Sequence, residues 1–428
     1  MQAEIESLKK SLAVYRGLVE VSGLIAAITE YDELLQAILE VSRRVMRAEA
    51  ASLFLLDAEG ETLEMALSSY ADGEFVRKPV RVPKGKGIAG CVFENGKSLL
   101  IRDAYSDSRF YKEVDKQTGF HTRSILCAPL KRDGALIGVL QVLNPREKDA
   151  FDAEDLDGFE AYANLTATAL EKIRALERSR RQERVERDLA IASEIQTELL
   201  SRAIPKQLPE GCAFAALSEP AANVGGDFYA VFVRNPYEIY FGIGDVSGKG
   251  MAAALLMAQT ISAMQFVFAS TSSPADALGK LNATLYNQIV RGMFITALIG
   301  RITPSSQRIE IASAGHCRPL LRKASGAVTE IETPGALPLG VLPKVVYQQG
   351  KIACQQGDWL VCFTDGLTES RPAHSQDFFE PRIAATLAET PAEPPPKGLI
   401  QSLVAAEKLH RGASPRPDDL TILTVGLA

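Results

Sequence analysis

Ile243-Gly244-Asp245-Val246-Ser247-Gly248-Lys249-Gly250 is the stretch on which the reading of this chain turns. The apolar run Tyr240-Phe241-Gly242-Ile243 before it reads as a strand that ends on an acid. Aspartate is a poor strand residue and is seldom buried without a partner. The glycines around it let backbone approach a ligand closely. A single Asp beside a Gly is most simply a turn. Three more islands share the plan: Val224-Gly225-Gly226-Asp227-Phe228-Tyr229, Phe363-Thr364-Asp365-Gly366-Leu367-Thr368-Glu369, and Pro417-Asp418-Asp419-Leu420-Thr421-Ile422. The third island follows an apolar run at 359–363, and the last opens one at 420–425. Turns alone do not account for four acids at strand ends. Hard oxygen donors without His or Cys suit Mg²⁺ or Mn²⁺, not zinc. If the acids converge, roughly two divalent ions would neutralise them, and without metal they would raise one another's pKa. Gly248-Lys249 is like part of a phosphate-binding P-loop, but Ile243 and Gly250 break that pattern at two positions.

Outward from these islands, the chain of 428 residues has room for two domains and a linker. With 46% apolar and 23% charged residues, each domain can bury a core. A net charge of −6 argues against nucleic acid or an anionic membrane as the main partner. The opening MQAEIESLKK has no apolar signal-peptide core, and no run of about 18 apolar residues is expected to span a membrane. Cys91, Cys127, Cys212, Cys317, Cys354 and Cys362 form no CxxC. They read as reduced core thiols of a cytoplasmic protein.

Ile5, Leu8, Leu12, Tyr15 and Val19 make a short heptad seam, either a coiled coil or a lone surface helix over 1–20. Residues 18–172 alternate helix and strand patterns: a helix opens at Tyr31-Asp32-Glu33, and strands read at 51–56 and 136–143. From 165 to 203 the sequence is helical, with apolar stripes at Leu170, Ile173 and Leu176 and at Val185, Leu189, Ala192 and Leu199. A charged middle at 177–184 separates the stripes, and Pro205 and Pro209 stop the helix. Such a helix cannot bury its own stripes and must pack on a partner helix or on a domain; it reads as a linker coiled between two copies of the chain. A second α/β unit follows over 204–428, with Pro391 opening a proline-rich surface loop.

The four islands, with Ser313-Ala314-Gly315-His316 between them, resemble in content and order the SpoIIE/RsbU branch of the PPM metal-dependent phosphatases over residues 185–428. The resemblance implies an α-β-β-α sandwich in an α+β protein, and a protein serine/threonine phosphatase working without a phosphoenzyme. It implies that Asp245 bridges two Mn²⁺ or Mg²⁺ ions, with the Val246 carbonyl as a further ligand. Asp227, Asp365 and Asp418 complete the set, and Asp419 is the alternative or additional ligand of its pair. Asp245 and Asp227 are the catalytic pair. His316 is either a general acid or a structural histidine; the structural reading is favoured. Phe294-Ile295-Thr296 reads as core. The implied substrate is a phosphoprotein, such as a STAS-type anti-sigma-factor antagonist.

Lys86-Gly87-Ile88-Ala89-Gly90, Arg123 to Leu130 and Gly138 to Asn144 resemble a GAF domain, which implies a sensor for a small molecule or partner protein. Asn144, Lys148, Phe151 and Asp155 fit part of a cyclic-nucleotide motif, but Leu156 stands where Glu is needed, so a structural remnant is expected. Cys91 and Cys127 read as core. The competing view of the whole chain is a phosphatase-like protein that binds a partner without catalysis. Manganese-dependent hydrolysis of para-nitrophenyl phosphate separates the two. A kinase is disfavoured by the lack of a Gly-rich nucleotide loop.

Overall fold

The computed structural model describes residues 23, 27–57, 59–70, 74–77, 80–112, 115, 120–290, 292–391 and 396–427. The expected seam at 1–20 lies outside them. The chain divides into two compact units, residues 1–183 and 184–428.

In the N-terminal unit, helix α1 (Tyr31–Val45) begins where the sequence places it. Asp32 and Glu33 in its first turn and Arg43 and Arg44 in its last suit the helix dipole. The seven-stranded sheet holds β1 (Ala48–Leu56), β2 (Thr62–Ser69), β3 (Phe75–Val76), β4 (Arg81–Pro83), β5 (Leu99–Ile101), β6 (Ile125–Arg132) and β7 (Ala135–Pro145). Its order is β3-β2-β1-β7-β6-β5, with β4 on β2. Leu34, Ile38 and Leu39 of α1 share one core with Phe159, Tyr162 and Leu170 of the long helix α3 (Ala153–Ser201). The Tyr162 hydroxyl donates to the Ile38 carbonyl at 2.7 Å. Helix α2 (Gly87–Asn95) contributes Ile88 and Val92 to a separate core with Cys127 and Val139.

Helix α3 has 49 residues, about 74 Å of rise, and begins well before the expected linker boundary at 165. Residues 175–188, which include the charged middle, are exposed on every side. The burial stripe resumes at Leu189 and runs to Leu200.

The C-terminal unit is two facing five-stranded sheets. One has the order β15 (Gln349–Ala353), β12 (Arg308–Ala314), β11 (Ile295–Thr303), β10 (Glu238–Val246), β9 (Phe228–Asn235). The other runs β14 (Val328–Glu330), β13 (Leu320–Arg322), β16 (Trp359–Phe363), β17 (Leu420–Leu427), β8 (Cys212–Glu219). Ile243, Leu298 and Ile311 of the first meet Leu360, Cys362 and Leu423 of the second in one core. Helices α4 (Met251–Ser270) and α5 (Pro274–Leu285) cover the first sheet. Helices α7 (Glu380–Glu389) and α8 (Pro396–Arg411) cover the second, and the one-turn helix α6 (Asp365–Thr368) lies at its edge. This is the expected α-β-β-α sandwich.

Two details correct the sequence reading. Helix α4 is long and apolar enough to cross a membrane, against the expectation that no such run exists. Its Ala253, Met257, Ile261, Met264 and Phe268 are buried in the sandwich core, while Leu255 and Phe266 on the other face are exposed. Phe294, read as core, is exposed, while its neighbour Ile295 is fully buried.

A buried ion cluster pins the loops beside the sheet ends. Glu407 of α8 is fully buried, and its carboxylate takes hydrogen bonds from Ser370 Oγ (2.6 Å), Arg411 Nε (2.7 Å) and Arg416 Nη2 (3.2 Å). Arg416 also pairs with Glu219 at the end of β8. Burial pushes the Glu407 carboxyl up, but these donors outweigh it and hold its pKa below the usual range. Ser370 follows Asp365 and Arg416 precedes Asp418, so the cluster ties the two acidic islands of this sheet to one helix. Replacing Glu407 by Ala leaves the part-buried Arg411 guanidinium without a carboxylate and Arg416 with Glu219 alone. This variant is expected to lose about 3–5 kcal/mol from the unfolding transition of the C-terminal unit in urea. A loss under about 1 kcal/mol, the scale of a surface pair, would contradict the role given to the cluster.

Candidate metal centre

Antiparallel pairing carries all four islands to one end of the sandwich. β9 begins where β10 finishes, with Phe228 paired to Gly244. In the other sheet Phe363 at the end of β16 pairs with Ile422 near the start of β17. Asp227 therefore precedes β9, Asp245 is the penultimate residue of β10, Asp365 opens α6, and Asp418-Asp419 precede β17.

Side chains join the two sheets at this end. The Thr364 hydroxyl donates to Asp227 Oδ2 at 2.7 Å and accepts the Thr421 N–H at 2.9 Å. Asp419 accepts the N–H of Ala221 on Oδ1 (2.8 Å) and of Gly226 on Oδ2 (2.7 Å). A Cβ at Gly225 would lie 2.4 Å from Asp419 Oδ2, and one at Gly226 would lie 2.7 Å from the Val246 carbonyl oxygen. Only glycine lets this loop come so close to both the carboxylate and the carbonyl. Asp418 turns the other way, half-exposed, with Oδ2 at 3.3 Å from Lys249 Nζ. Lys249 also donates to the Pro417 carbonyl at 2.6 Å.

The electrostatics follow from crowding like charges in a dry place. Burial, then the charge of Asp245, holds the Asp227 carboxyl well above the usual range, with Thr364 and Thr421 offsetting part of this. Burial first, then Asp365, Asp418 and Asp419, pushes Asp245 up to about 7. Asp365 is raised by burial and by Asp418. Asp227 Oδ1 is buried and no N–H or O–H donor faces it; its neighbour is the Asp245 carboxylate. A shared proton, a water or a cation would satisfy it. Among the described residues no three His, Cys, Asp or Glu side chains are drawn in tightly enough to form a finished cage. The donor set and the orphaned oxygen nevertheless fit divalent cations bound by oxygen.

His316 lies beneath Asp245. Thr296 pairs with Asp245 across β10 and β11, and its hydroxyl is 3.0 Å from His316 Nδ1. Burial, opposed in part by the backbone of Phe363, depresses the His316 pKa to about 4, so the ring is neutral at pH 7. Its backbone N–H donates to Ser313 Oγ at 3.1 Å. These contacts favour the structural reading.

In the N-terminal unit the remnant motif is built into the fold. Asn144 Oδ1 accepts the N–H of Arg123 and Ser124, and its Nδ2 donates to Glu49 and the His121 carbonyl. Lys148 pairs with Asp152 and Asp155, and Phe151 is buried. All six cysteines are free, and burial pushes the Cys127 thiol up, away from reactivity.

The family model for Stage II sporulation protein E matches residues 235–427, and that for the GAF domain matches residues 30–170. The C-terminal unit is a SpoIIE-family domain, and the N-terminal unit is a GAF domain. The SpoIIE match begins after Asp227, whose place at the centre comes from the geometry. The chain is similar to the phosphoserine phosphatase RsbU of Bacillus subtilis (strain 168), at 29% identity over 252 residues, 57% of this chain and 71% of that one. It is also similar to the probable 3′,5′-cyclic phosphodiesterase pde-5 of Caenorhabditis elegans, at 32% identity over 187 residues, 42% of this chain. The chain spans 26% of that relative's length. The SiaA-PP2C domain of Pseudomonas aeruginosa shares the fold at a TM-score of 0.52 and 22% identity, covering 58% of this chain and 99% of that domain.

Sequence reasoning missed Thr364 and Lys249 as parts of the SpoIIE-family centre, although both stand inside quoted islands. Their partners lie 137 and 169 residues away (Asp227 to Thr364, Lys249 to Asp418).

The raised carboxyls make the metal-free protein sensitive to pH. Between about pH 4 and pH 7 the unfolded chain has released the Asp245 proton while the folded chain still holds it. The folded state binds more protons there, so its stability falls as pH rises through this window. In EDTA the Tm is therefore expected to be higher at pH 5.5 than at pH 7.5, with the loss reduced in Asp245→Asn and removed by Mn²⁺. The buried neutral His316 contributes the opposite slope over this window, so the decisive comparison is with the variant: the same pH dependence in EDTA for Asp245→Asn and the native chain would contradict the crowded-carboxylate account.

Proposed function

We propose that the chain is a divalent-metal-dependent protein phosphatase acting on phosphoserine or phosphothreonine, with Mn²⁺ or Mg²⁺ as its ions. The observation that carries this reading is the gathering of Asp227, Asp245, Asp365 and Asp418 at one edge of a SpoIIE-family sandwich. Similarity to a phosphoserine phosphatase over 57% of the chain supports it.

Asp245 and the Val246 carbonyl would hold the ions together, with Asp227, Asp365 and Asp418 around them. Asp419 is assigned to the outer shell, since two backbone N–H groups already occupy its oxygens. When bound, a pair of such ions supplies a water of lowered pKa and offsets charge on a phosphoryl group. The chain's own contribution is placement. Thr364 orients Asp227, Gly226 leaves the Val246 carbonyl uncovered, and Lys249 brings a cation to the rim beside Asp418. A neutral, buried His316 supports the floor through Thr296.

The phosphoprotein is assigned to the class of STAS-type anti-sigma-factor antagonists, by likeness to the RsbU branch. The GAF domain would sense a small molecule or partner protein. The exposed Val185, Ile191 and Ile195 on α3 would be covered by the same helix of a second copy, giving a cytoplasmic homodimer.

Asp245→Asn is expected to reduce Mn²⁺-dependent release of phosphate from para-nitrophenyl phosphate and from a phosphoserine STAS protein to the uncatalysed level, with the fold intact by circular dichroism. Near-normal turnover at saturating Mn²⁺ would overturn the assignment. His316→Gln is expected to keep activity within about tenfold. A loss of about 10²-fold or more in a folded, metal-loaded variant would restore His316 as a general acid.

A further inference from the structure

The exposed apolar side chains of the sandwich are not scattered evenly. Six of them, Met251, Val290, Phe294, Leu337, Val341 and Leu342, stand on three segments that meet beside the metal centre. Backbone contacts join these segments. The Ser247 N–H donates to the Phe294 carbonyl at 2.9 Å, and the Phe294 N–H donates to Ser247 Oγ at 2.8 Å. Ser247 is two residues past Asp245, so Phe294 borders the loop that leaves the centre. Next to it, Ile295 and Leu339 exchange both backbone hydrogen bonds, at 3.0 and 2.8 Å. Both are fully buried, whereas Phe294, Leu337 and Val341 around them are exposed.

The rim is held in shape from below. Asn282 of α5 is buried; its Oδ1 accepts the Gly340 N–H at 2.9 Å, and its Nδ2 donates to the Leu342 carbonyl at 2.9 Å. A Cβ at Gly340 would lie 2.3 Å from Ile289 Cδ1, which puts Val290 beside the same loop. Apolar residues exposed one by one are ordinary, but a contiguous patch of them marks an interaction site. Charge says what covers this one. Residues 246–275, 286–294 and 333–347 contain no Asp or Glu, and they carry Lys249, Arg291 and Lys344. The other side of the centre is acidic, with Asp418 half-exposed and Glu369 beside Asp365. An anionic partner is therefore favoured on the apolar side.

We propose that this rim is the docking surface for the body of the substrate: a folded phosphoprotein with apolar residues around its phosphorylated Ser or Thr, which rests them on Val290, Phe294 and Val341 while the phosphoryl group enters the metal edge. The proposal rests on the phosphatase reading above and names what selects the substrate at that site. Para-nitrophenyl phosphate and a short phosphoserine peptide reach the edge and leave the rim bare. The rim thus acts on kcat/KM for the whole protein and not on the chemistry at the edge.

The test uses the full chain in Mn²⁺ with three substrates: a phosphoserine STAS protein, a short peptide carrying its phosphorylated serine, and para-nitrophenyl phosphate. The native chain is expected to favour the protein over the peptide by about tenfold or more in kcat/KM. Val290→Ser combined with Val341→Ser should remove about tenfold for the protein, chiefly through KM, and leave the other two substrates unchanged. Val341→Glu alone puts an acid on the acid-free side. It should lower kcat/KM for the protein even if the double variant does not fold, and more so at low salt. Phe266→Ser is the control: Phe266 is exposed and lies about 22 Å beyond Met251 along α4, so its loss should change nothing. No preference for the protein over the peptide, a native value for the protein in either folded rim variant, or an equal loss on all three substrates overturns the docking surface and leaves the phosphatase reading standing. So does a rim variant that sediments as a monomer where the native chain is a dimer, since the face would then lie between copies. A native chain that hydrolyses none of the three overturns both.

Discussion

The centre depends on the Asp419 carboxylate. It accepts the N–H groups of Ala221 and Gly226, and in doing so pulls the loop that carries Asp227 from one sheet against the strand start of the other. A charged acceptor with two backbone donors is a strong contact, and it lies at the edge where the two sheets must meet. The missing side chain of Gly225 makes the approach possible, because a Cβ there would collide with the same carboxylate. With this contact in place, Thr364 reaches Asp227.

The same arrangement stores electrostatic cost. Burial pushes Asp227, Asp245 and Asp365 up, and neighbouring carboxylates add to it: Asp245 on Asp227, Asp365 on Asp245 and Asp418 on Asp365. A sandwich core of large aliphatic and aromatic side chains and the buried Glu407 cluster hold the islands together against that repulsion. A cation held by these carboxylates would offset their mutual repulsion, which would link metal binding to folding stability. Local instability of this kind is common where a fold carries function.

Much of this was legible along the chain. Strands at 359–363 and 420–425, the helix opening at Tyr31, and the acids at strand ends are local signals, and the structure places each where its pattern indicates. The different partners of Asp418 and Asp419 were not legible, because those of Asp419 are Ala221 and Gly226, nearly two hundred residues away. Helix α4 defeated the search for apolar runs because a core helix and a membrane helix share one composition, and only packing separates them. Phe294 was read as core because its neighbours are, yet it turns outward one residue before β11 begins.

The central claim is that this edge is built for divalent ions. Equilibrium dialysis of the full chain against Mn²⁺ at pH 7.5 measures it most directly. About two tightly held ions per chain are expected, both lost in Asp245→Asn. A native chain that retains no more Mn²⁺ than that variant would contradict the account.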